Sequence, residues 1–250
     1  MAKKDENKEN FKDIDNSDKA DENLEKQEKD DYKIPEKPKK QAFWFFILLI
    51  FILGVVISVP FIIDNFINKF EFANLDFQKI KQGEITFYFA SIPVVDSTGN
   101  IIDEYRINFR NDPRDIEKIQ LSPRIKKEGL KFLKENTVYI SLDPSMNPCE
   151  DNSVAMFTLG NFLNDSGLAV KSSFTNKSFA EESRFPYKTC RDSSRNTVII
   201  IKSSNETFIN QERTNCYEII YKDCEIQQAV ERFILEVIED YMNSLDQNES

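Results

Sequence analysis

The longest feature in the pattern of apolar and polar positions is an unbroken apolar run from Ala42 to Ile63, 22 residues without a charge. At 1.5 Å rise per residue, a helix of this length spans the roughly 30 Å hydrocarbon core of a bilayer. A signal peptide begins nearer the N-terminus and has an apolar region of only roughly 7–15 residues. A core helix of a soluble protein does not need so long a run. The pattern therefore predicts one transmembrane helix over residues 42–63.

After the span, residues 64–83 are assigned to a juxtamembrane connector and residues 84–134 to a β-hairpin region. Glu84–Val95 is rich in β-branched and aromatic residues, and Ile101–Phe109 has apolar residues at alternate positions. The segment between them, Asp-Ser-Thr-Gly-Asn, has the composition of a turn. A hairpin is predicted here, followed by a short helix over Ile125–Leu133 beyond Pro123.

Residues 135–242 mix strand and helix patterns and predict a small α/β domain. The helix is Ser153–Leu163, and the strand-like segments are Thr137–Leu142, Leu168–Ser173, Thr197–Ile201, Phe208–Ile209 and Cys216–Tyr221. Thr197–Ile201 is apolar throughout, as in a central strand covered on both faces. The predicted fold class is α/β, with α+β as the open alternative.

The last element has the clearest periodicity beyond the membrane span. Apolar residues from Ile226 to Tyr241 follow helical spacing, so one face of a C-terminal helix is expected to pack on the sheet. Acidic residues dominate its other side, namely Glu225, Glu231, Glu236, Glu239 and Asp240. A membrane-surface helix uses Lys and Arg there instead, which favours core packing. Residues 243–250 are predicted to be disordered.

The N-terminal tail is highly charged and nearly free of apolar residues. Residues 1–41 contain 11 Lys and 13 Asp or Glu, which predicts a disordered segment. The whole chain has a formal net charge of −10, which argues against a nucleic-acid partner. Four lysines lie close before the span (Lys33, Lys37, Lys39 and Lys40), and only Lys69 follows it closely. The positive-inside rule therefore places the tail in the cytoplasm and residues 64–250 outside the cell membrane.

All four cysteines (Cys149, Cys190, Cys216 and Cys224) follow the span. An even number in an extracytoplasmic domain predicts disulfides. A zinc site made of the four thiolates is the alternative, but zinc ligands usually come as closer pairs and the chain contains no histidine. Of the three possible pairings, Cys216–Cys224 across a local turn and Cys149–Cys190 between loops are favoured. No cofactor or metal is predicted.

The most distinctive polar cluster is Arg-Asn-Asp-Pro-Arg at residues 110–114. Arg110 and Arg114, four residues apart around a turn, have the fork geometry that binds carboxylates or phosphates. The structural alternative is that Asp112 caps the turn and an arginine pairs with an acid as the strand ends. These three residues are the first candidates for ligand or partner binding.

Asp143 and Asp151 are further candidates, because Asp143 directly follows a predicted strand. In open α/β sheets, ligands bind outside the carboxyl ends of strands, where Asp143, Asp151 and Ser153 would converge. Two carboxylates there would serve a hydrolase, whereas Asp-Pro and Asn-Pro are also ordinary turn signals. Without histidine, a Ser–His or Cys–His nucleophile is excluded, and no catalytic residue is predicted.

Four Asn-x-Ser/Thr sequences are candidate glycosylation sites, at Asn164, Asn176, Asn205 and Asn248.

The chain also resembles a group of single-pass archaeal membrane proteins without an assigned activity. The resemblance rests on the basic-flanked span, the Phe-Tyr-Phe of the first strand, residues 110–114, and the two cysteines before the last helix. It implies the architecture and no function.

The expected function is therefore a membrane-anchored extracytoplasmic binding or interaction subunit, with a protein or glycan partner at the cell surface. The alternative is a carboxylate-dependent extracytoplasmic hydrolase that uses Asp143 and Asp151. A sensor that signals to the tail is less favoured, because a disordered tail has no obvious two-state element.

Overall fold

The computed structural model describes residues 38–63, 67–96, 98–133 and 137–248. Its first element is helix α1, Pro38–Ile62, and every described side chain from Lys40 onward is exposed. The stretch Lys40–Ile62 is long and apolar enough to cross a membrane, with a mean hydropathy of 3.0. The apolar helix predicted from the sequence is confirmed. The predicted disordered tail lies almost entirely outside the described residues.

Four antiparallel strands follow and form the meander sheet: β1 (Lys69–Phe72), β2 (Leu75–Gln82), β3 (Ile85–Val95) and β4 (Ile101–Phe109). The predicted hairpin is the β3–β4 pair. β1 and β2 occupy the segment that the sequence pattern assigned to a connector. Only Leu75 and Phe77 of β2 alternate cleanly into the core, so its strand pattern is too short to recognise.

The remaining strands form the mixed sheet: β5 (Gln120–Leu121), β6 (Val138–Leu142), β7 (Val170–Phe174), β8 (Thr197–Ser204), β9 (Phe208–Arg213) and β10 (Cys216–Lys222). Their order is β5-β9-β10-β8-β6-β7, and β10, β8, β6 and β7 are parallel. The central strand β8 is buried on both faces, as its apolar run predicts. Ile199 and Ile201 join the main core, whereas Val198 and Ile200 pack with two cysteines on the other face.

The helices connect and cover these strands: α2 (Pro113–Ile116), α3 (Pro123–Glu128), α4 (Asn152–Asp165), α5 (Lys177–Ser183) and α6 (Ile226–Asn248), with a 3₁₀ turn at Cys190–Asp192. α4 is the crossover between the parallel strands β6 and β7. Pro123 begins α3, which ends before Gly129, so the helix expected over Ile125–Leu133 is shorter and starts earlier. α6 extends to Asn248, so residues 243–248 of the segment predicted to be disordered are helical.

Helix α6 contacts both sheets. It packs on β9 and β10, and on its other side the hydroxyl of Tyr241 donates a hydrogen bond to the carbonyl of Pro93 in β3 at 2.9 Å. One core joins apolar side chains of α6, α4 and both sheets. The acidic side of the helix is therefore not fully solvated, since Glu231 and Glu236 are buried. The helical periodicity of the sequence predicted the apolar face of α6. It did not predict that a second layer of the structure covers part of its acidic side.

The two disulfides join Cys149 to Cys224 and Cys190 to Cys216, so the pairing favoured from the sequence is wrong. Cys216 begins β10 and Cys224 follows its other end, about 23 Å away along a seven-residue strand. Cys190 precedes β8, which runs parallel to β10, and so lies at the edge where Cys216 begins. Cys149 follows β6 at the opposite edge, where Cys224 lies. Two disulfides are typical of a domain outside the reducing cytosol.

Candidate functional site

A groove runs along the free edge of the meander sheet, between β4 and α4, and is called the β4–α4 groove below. β4 is the last strand of its sheet, and its outer side has no strand partner within the described ranges. The groove has a volume of about 550 Å³, and its lining includes Tyr105, Arg110, Phe157, Asn161, Asp165 and Gln227. Of the residues singled out from the sequence, Arg110 lines this groove.

Two polar contacts connect the strand to the helix at either end of the groove. Arg110, just after β4, forms an ion pair with Asp151, just before α4, with Nη1 and Oδ1 3.1 Å apart. In the middle of β4, the hydroxyl of Tyr105 donates a hydrogen bond to Asp165 at the end of α4 over 3.3 Å. Strand and helix therefore run antiparallel along the groove. The predicted candidates Arg110 and Asp151 meet at one end of it.

Tyr105 also divides the groove from a neighbouring hollow. Its ring lies 6.3 Å from that of Phe162, and the hollow beyond it, about 580 Å³, continues to Tyr241. Burial, with the nearby carboxylate of Asp165, raises the pKa of Tyr105 to about 12. The hydroxyl therefore keeps its proton and acts as a hydrogen-bond donor at any physiological pH.

The backbone at the Arg110 end is held by Glu231 of α6. Its carboxylate accepts hydrogen bonds from the backbone N–H groups of Arg110 and Asn111, at 2.7 and 3.0 Å. Two side-chain amides, from Asn111 and Gln227, also donate to it at 2.8 Å. Glu231 has no exposed surface, and burial raises its pKa despite these four donors. This buried acid positions the residues that end β4.

Gln227 has one polar atom without a partner. Its Nε2 donates to Glu231, whereas no described residue donates to its Oε1. The residue is only 3% exposed and lines the groove. This oxygen is buried, so Gln227 contributes to the site through its hydrogen bond to Glu231.

The wall that α4 contributes is apolar and open to solvent. Ala155, Leu159 and Phe162 of this helix are buried in the core. Phe157 lies off that buried stripe and is 69% exposed, and Val154 one turn before it is also exposed. The groove therefore combines an unpaired strand edge, an apolar helix face and an ion pair at one end.

Asp112 and Arg114 form a separate, self-contained pair. Asp112 caps α2 and accepts from the backbone N–H and the Nε of Arg114, at 3.0 and 2.9 Å. The guanidinium lies 4.0 Å from the ring centre of Phe70, in a cation–π contact. Hydrogen bonds from Arg114 lower the pKa of Asp112. This arrangement matches the structural alternative for the cluster.

Asp143 and Asp151 have different partners. Asp143 accepts hydrogen bonds from the backbone N–H and hydroxyl of Ser145, at 2.9 and 2.6 Å, within its own turn. Asp151 is paired with Arg110, and Ser153 is exposed on the first turn of α4. Within the described ranges, no group of three or more Asp, Glu, Cys or His side chains is arranged to hold a metal ion.

The candidate glycosylation sites differ in their surroundings. Asn164 is exposed near the end of α4, and Asn205 is exposed in the turn between β8 and β9. The side-chain oxygen of Asn176 caps α5 by accepting from the N–H of Phe179 at 3.0 Å. The side chain of Asn248 lies outside the described residues.

Among the residues that were not predicted are Tyr105 and Phe157, which line the groove, and Glu231, which holds the backbone at its Arg110 end. A helical projection of the α4 segment would have separated Phe157 from the buried stripe, which is a usable signal for an exposed aromatic residue. Glu231 and Tyr105 had no such signal, because their partners are distant in sequence.

The chain matches no protein-family model, and neither curated proteins nor solved structures contain a significant match to it.

Proposed function

We propose that the chain is a membrane-anchored binding subunit whose extracytoplasmic domain holds a partner protein in the β4–α4 groove. α1 would anchor it, with the lysine-flanked end in the cytoplasm as the positive-inside rule expects. The two disulfides support placement of residues 64–250 in an oxidising compartment.

The observation that carries this proposal is the exposure of Phe157 beside an unpaired strand edge. Large aromatic side chains dominate the energetics of protein interfaces, and an exposed one beside a groove is typical of a docking surface. Proteins generally protect the edges of their sheets, because free backbone groups invite pairing. A partner that covers both features would bury apolar surface and pair the edge.

Arg110 provides the polar part of the proposed site. Its side chain is 30% exposed and that of Asp151 is 46% exposed, so the ion pair remains open to solvent. Glu231 holds the backbone of Arg110, and Asp151 holds its guanidinium, at the end of the groove. A carboxylate of a partner can compete with Asp151 for it with charge-assisted hydrogen bonds.

Photo-cross-linking of the full-length protein in its native membrane tests the proposal. A photoreactive phenylalanine analogue replaces Phe157 in one variant and Phe185 in a matched control. Phe185 is also an exposed aromatic, 48% exposed, but lies after α5, away from the groove lining. We expect one defined protein adduct from position 157 and none from position 185. The adduct should disappear when Arg110→Ala is added.

Equal adducts from both positions, or none from position 157, would contradict a partner protein in this groove. A mass increase that corresponds to carbohydrate would assign the groove to a glycan instead. Circular dichroism of each variant checks that the fold is retained, so that loss of an adduct reports on the site.

A further inference from the structure

Strand β4 carries two charged side chains without an ion pair. Glu104 and Arg106 are exposed on the outer face of the meander sheet, and neither side chain pairs with any residue in the described ranges. Their neighbours across the β3–β4 pair are Pro93 and Ser91, which are uncharged. On the other side lies the free edge. Glu104 and Arg106 have opposite charges and are two residues apart, and both lie beside the position that a further strand would take.

The opposite face of β4 points to the α4 wall. Side chains alternate along a strand, so Tyr105 faces away from Glu104 and Arg106. Its ring contacts Phe162 of α4, and the exposed Phe157 lies on the same helix. In a strand added to β4, the side chain opposite Tyr105 would lie over this apolar wall.

The groove has the length of a short extended segment. Tyr105 and Arg110 are five positions apart, which is about 17 Å of strand. Its other wall, from Asp151 to Asp165, is about 21 Å of helix. A strand that pairs with Arg110 to Tyr105 and continues past the Tyr105 contact to Glu104 has seven residues.

We infer that the partner inserts an extended segment, which adds to β4 as an antiparallel strand and carries an acidic, an apolar and a basic residue in succession. This inference rests on the proposed function, since it specifies the partner of the same groove. The acidic residue lies opposite Arg106, the apolar residue opposite Tyr105, and the basic residue opposite Glu104. Strand addition supplies backbone hydrogen bonds for affinity, and the side chains supply specificity. Opposite charges directly across a strand pair are favourable, and like charges are unfavourable.

Three blocked seven-residue peptides test this inference against the full-length protein in detergent micelles. All have the pattern Thr-Val-X-Val-Z-Val-Thr, with X and Z as Glu and Lys, both Glu, or both Lys. Binding is measured by fluorescence anisotropy up to about 1 mM for the wild type, Arg106→Glu and Glu104→Arg. The wild type should prefer the Glu and Lys peptide, Arg106→Glu the peptide with two Lys, and Glu104→Arg the peptide with two Glu. Each preference should be about tenfold.

Phe157→Asp should weaken the binding of all three peptides, because it removes the apolar wall. Absence of saturable binding, or binding that ignores the charges at positions 104 and 106, would overturn the inference. In that case, a Phe157-dependent adduct in the native membrane would still support the proposed function. The triplet Glu104-Tyr105-Arg106 itself has the acidic, apolar, basic pattern. If the wild type sediments as a dimer that dissociates in both single variants and re-forms in the double variant, the added strand belongs to a second copy of this chain, and the assignment of the edge to a different partner protein is overturned.

Discussion

The carboxylate of Glu231 is held twice by Asn111, through its backbone N–H at 3.0 Å and its side-chain Nδ2 at 2.8 Å. The two residues are 120 positions apart, one in the second turn of the last helix and the other just after β4. Their contact fixes the end of the meander sheet on α6. It also sets the position of Arg110 at the end of the β4–α4 groove.

Removing this carboxylate should destabilise the domain. Glu231→Ala leaves two partly buried backbone N–H groups without an acceptor, so we expect a loss of about 3 kcal/mol of unfolding free energy. Urea unfolding in micelles, followed by circular dichroism, measures it. Glu182→Ala, at an exposed carboxylate of α5, is the matched control and should change stability by less than about 0.5 kcal/mol. Equal effects of the two substitutions would show that the Glu231 contacts are not stabilising.

Glu239 should make stability depend on pH. Burial, together with nearby Glu236 and against the attraction of Arg232, raises its pKa from 4.5 to about 7. A carboxyl with a raised pKa stabilises the fold fully below its ordinary pKa of 4.5, and this contribution is lost as the pH rises through about 7. Glu239→Gln should therefore lose less stability than the wild type between pH 5 and pH 8.

The expected difference is about 1 kcal/mol, because the carboxylate side chain is 23% exposed and solvent screens it. Urea midpoints at four pH values across this range measure it. Other buried acids, such as Glu231 and Asp240, titrate in both proteins and cancel in the comparison. Curves that stay parallel for the wild type and Glu239→Gln would refute the assignment.

The two disulfides should differ in how readily they are reduced. Cys190 and Cys216 are buried beside β8, whereas Cys149 is partly exposed and Cys224 is exposed. A thiol reductant therefore reaches the Cys149–Cys224 bond in the folded protein but reaches the other bond only on unfolding. Stepwise alkylation with two mass labels should mark Cys149 and Cys224 first. In urea, both pairs should be labelled together, and early labelling of Cys190 or Cys216 in the native protein would contradict the structure.

Substitution of the two arginines of residues 110–114 should separate structure from binding. Arg114→Ala removes the pair with Asp112 and the contact with Phe70, so we expect a loss of about 1 kcal/mol of stability and no effect on the Phe157 cross-link. Arg110→Ala should give the reverse pattern. Urea unfolding and cross-link yield, measured on both variants, test this. If Arg114→Ala abolishes the cross-link in a folded protein, the site extends beyond the groove.

The orientation in the membrane has a direct test. A membrane-impermeant maleimide applied to intact cells should label Glu206→Cys, in the exposed turn after β8, and should not label Ser17→Cys in the tail. After permeabilisation both should react, which serves as the control for reactivity. Labelling of Ser17→Cys alone in intact cells would reverse the proposed topology.

Elements with a local signal were predictable from the chain. The apolar helix, the β3–β4 hairpin, the buried strand β8 and the start of α6 each follow from a periodicity within one segment. β2 was missed because it lacks such a periodicity: only its first residues alternate into the core. Where the signal was short, the prediction failed.

Features that join distant segments were not predictable. The cysteine pairs depend on which strands run parallel, because parallel strands place their starts at one edge and their ends at the other. Arg110 was singled out from its charge, but its pairing with Asp151 depends on the packing of α4 beside β4. Arg114, with the same charge, is occupied by a neighbour two residues away.

The sequence by itself determined the apolar helix, the α/β class and which charged and aromatic residues were available to form a site. Tertiary structure alone decided that the acidic side of α6 is covered, that Glu231 holds the end of β4, and that Phe157 borders an unpaired strand edge. Periodicity reports how one element divides its residues between apolar and polar faces. Which second layer covers a face depends on long-range packing, and this is what forms the β4–α4 groove.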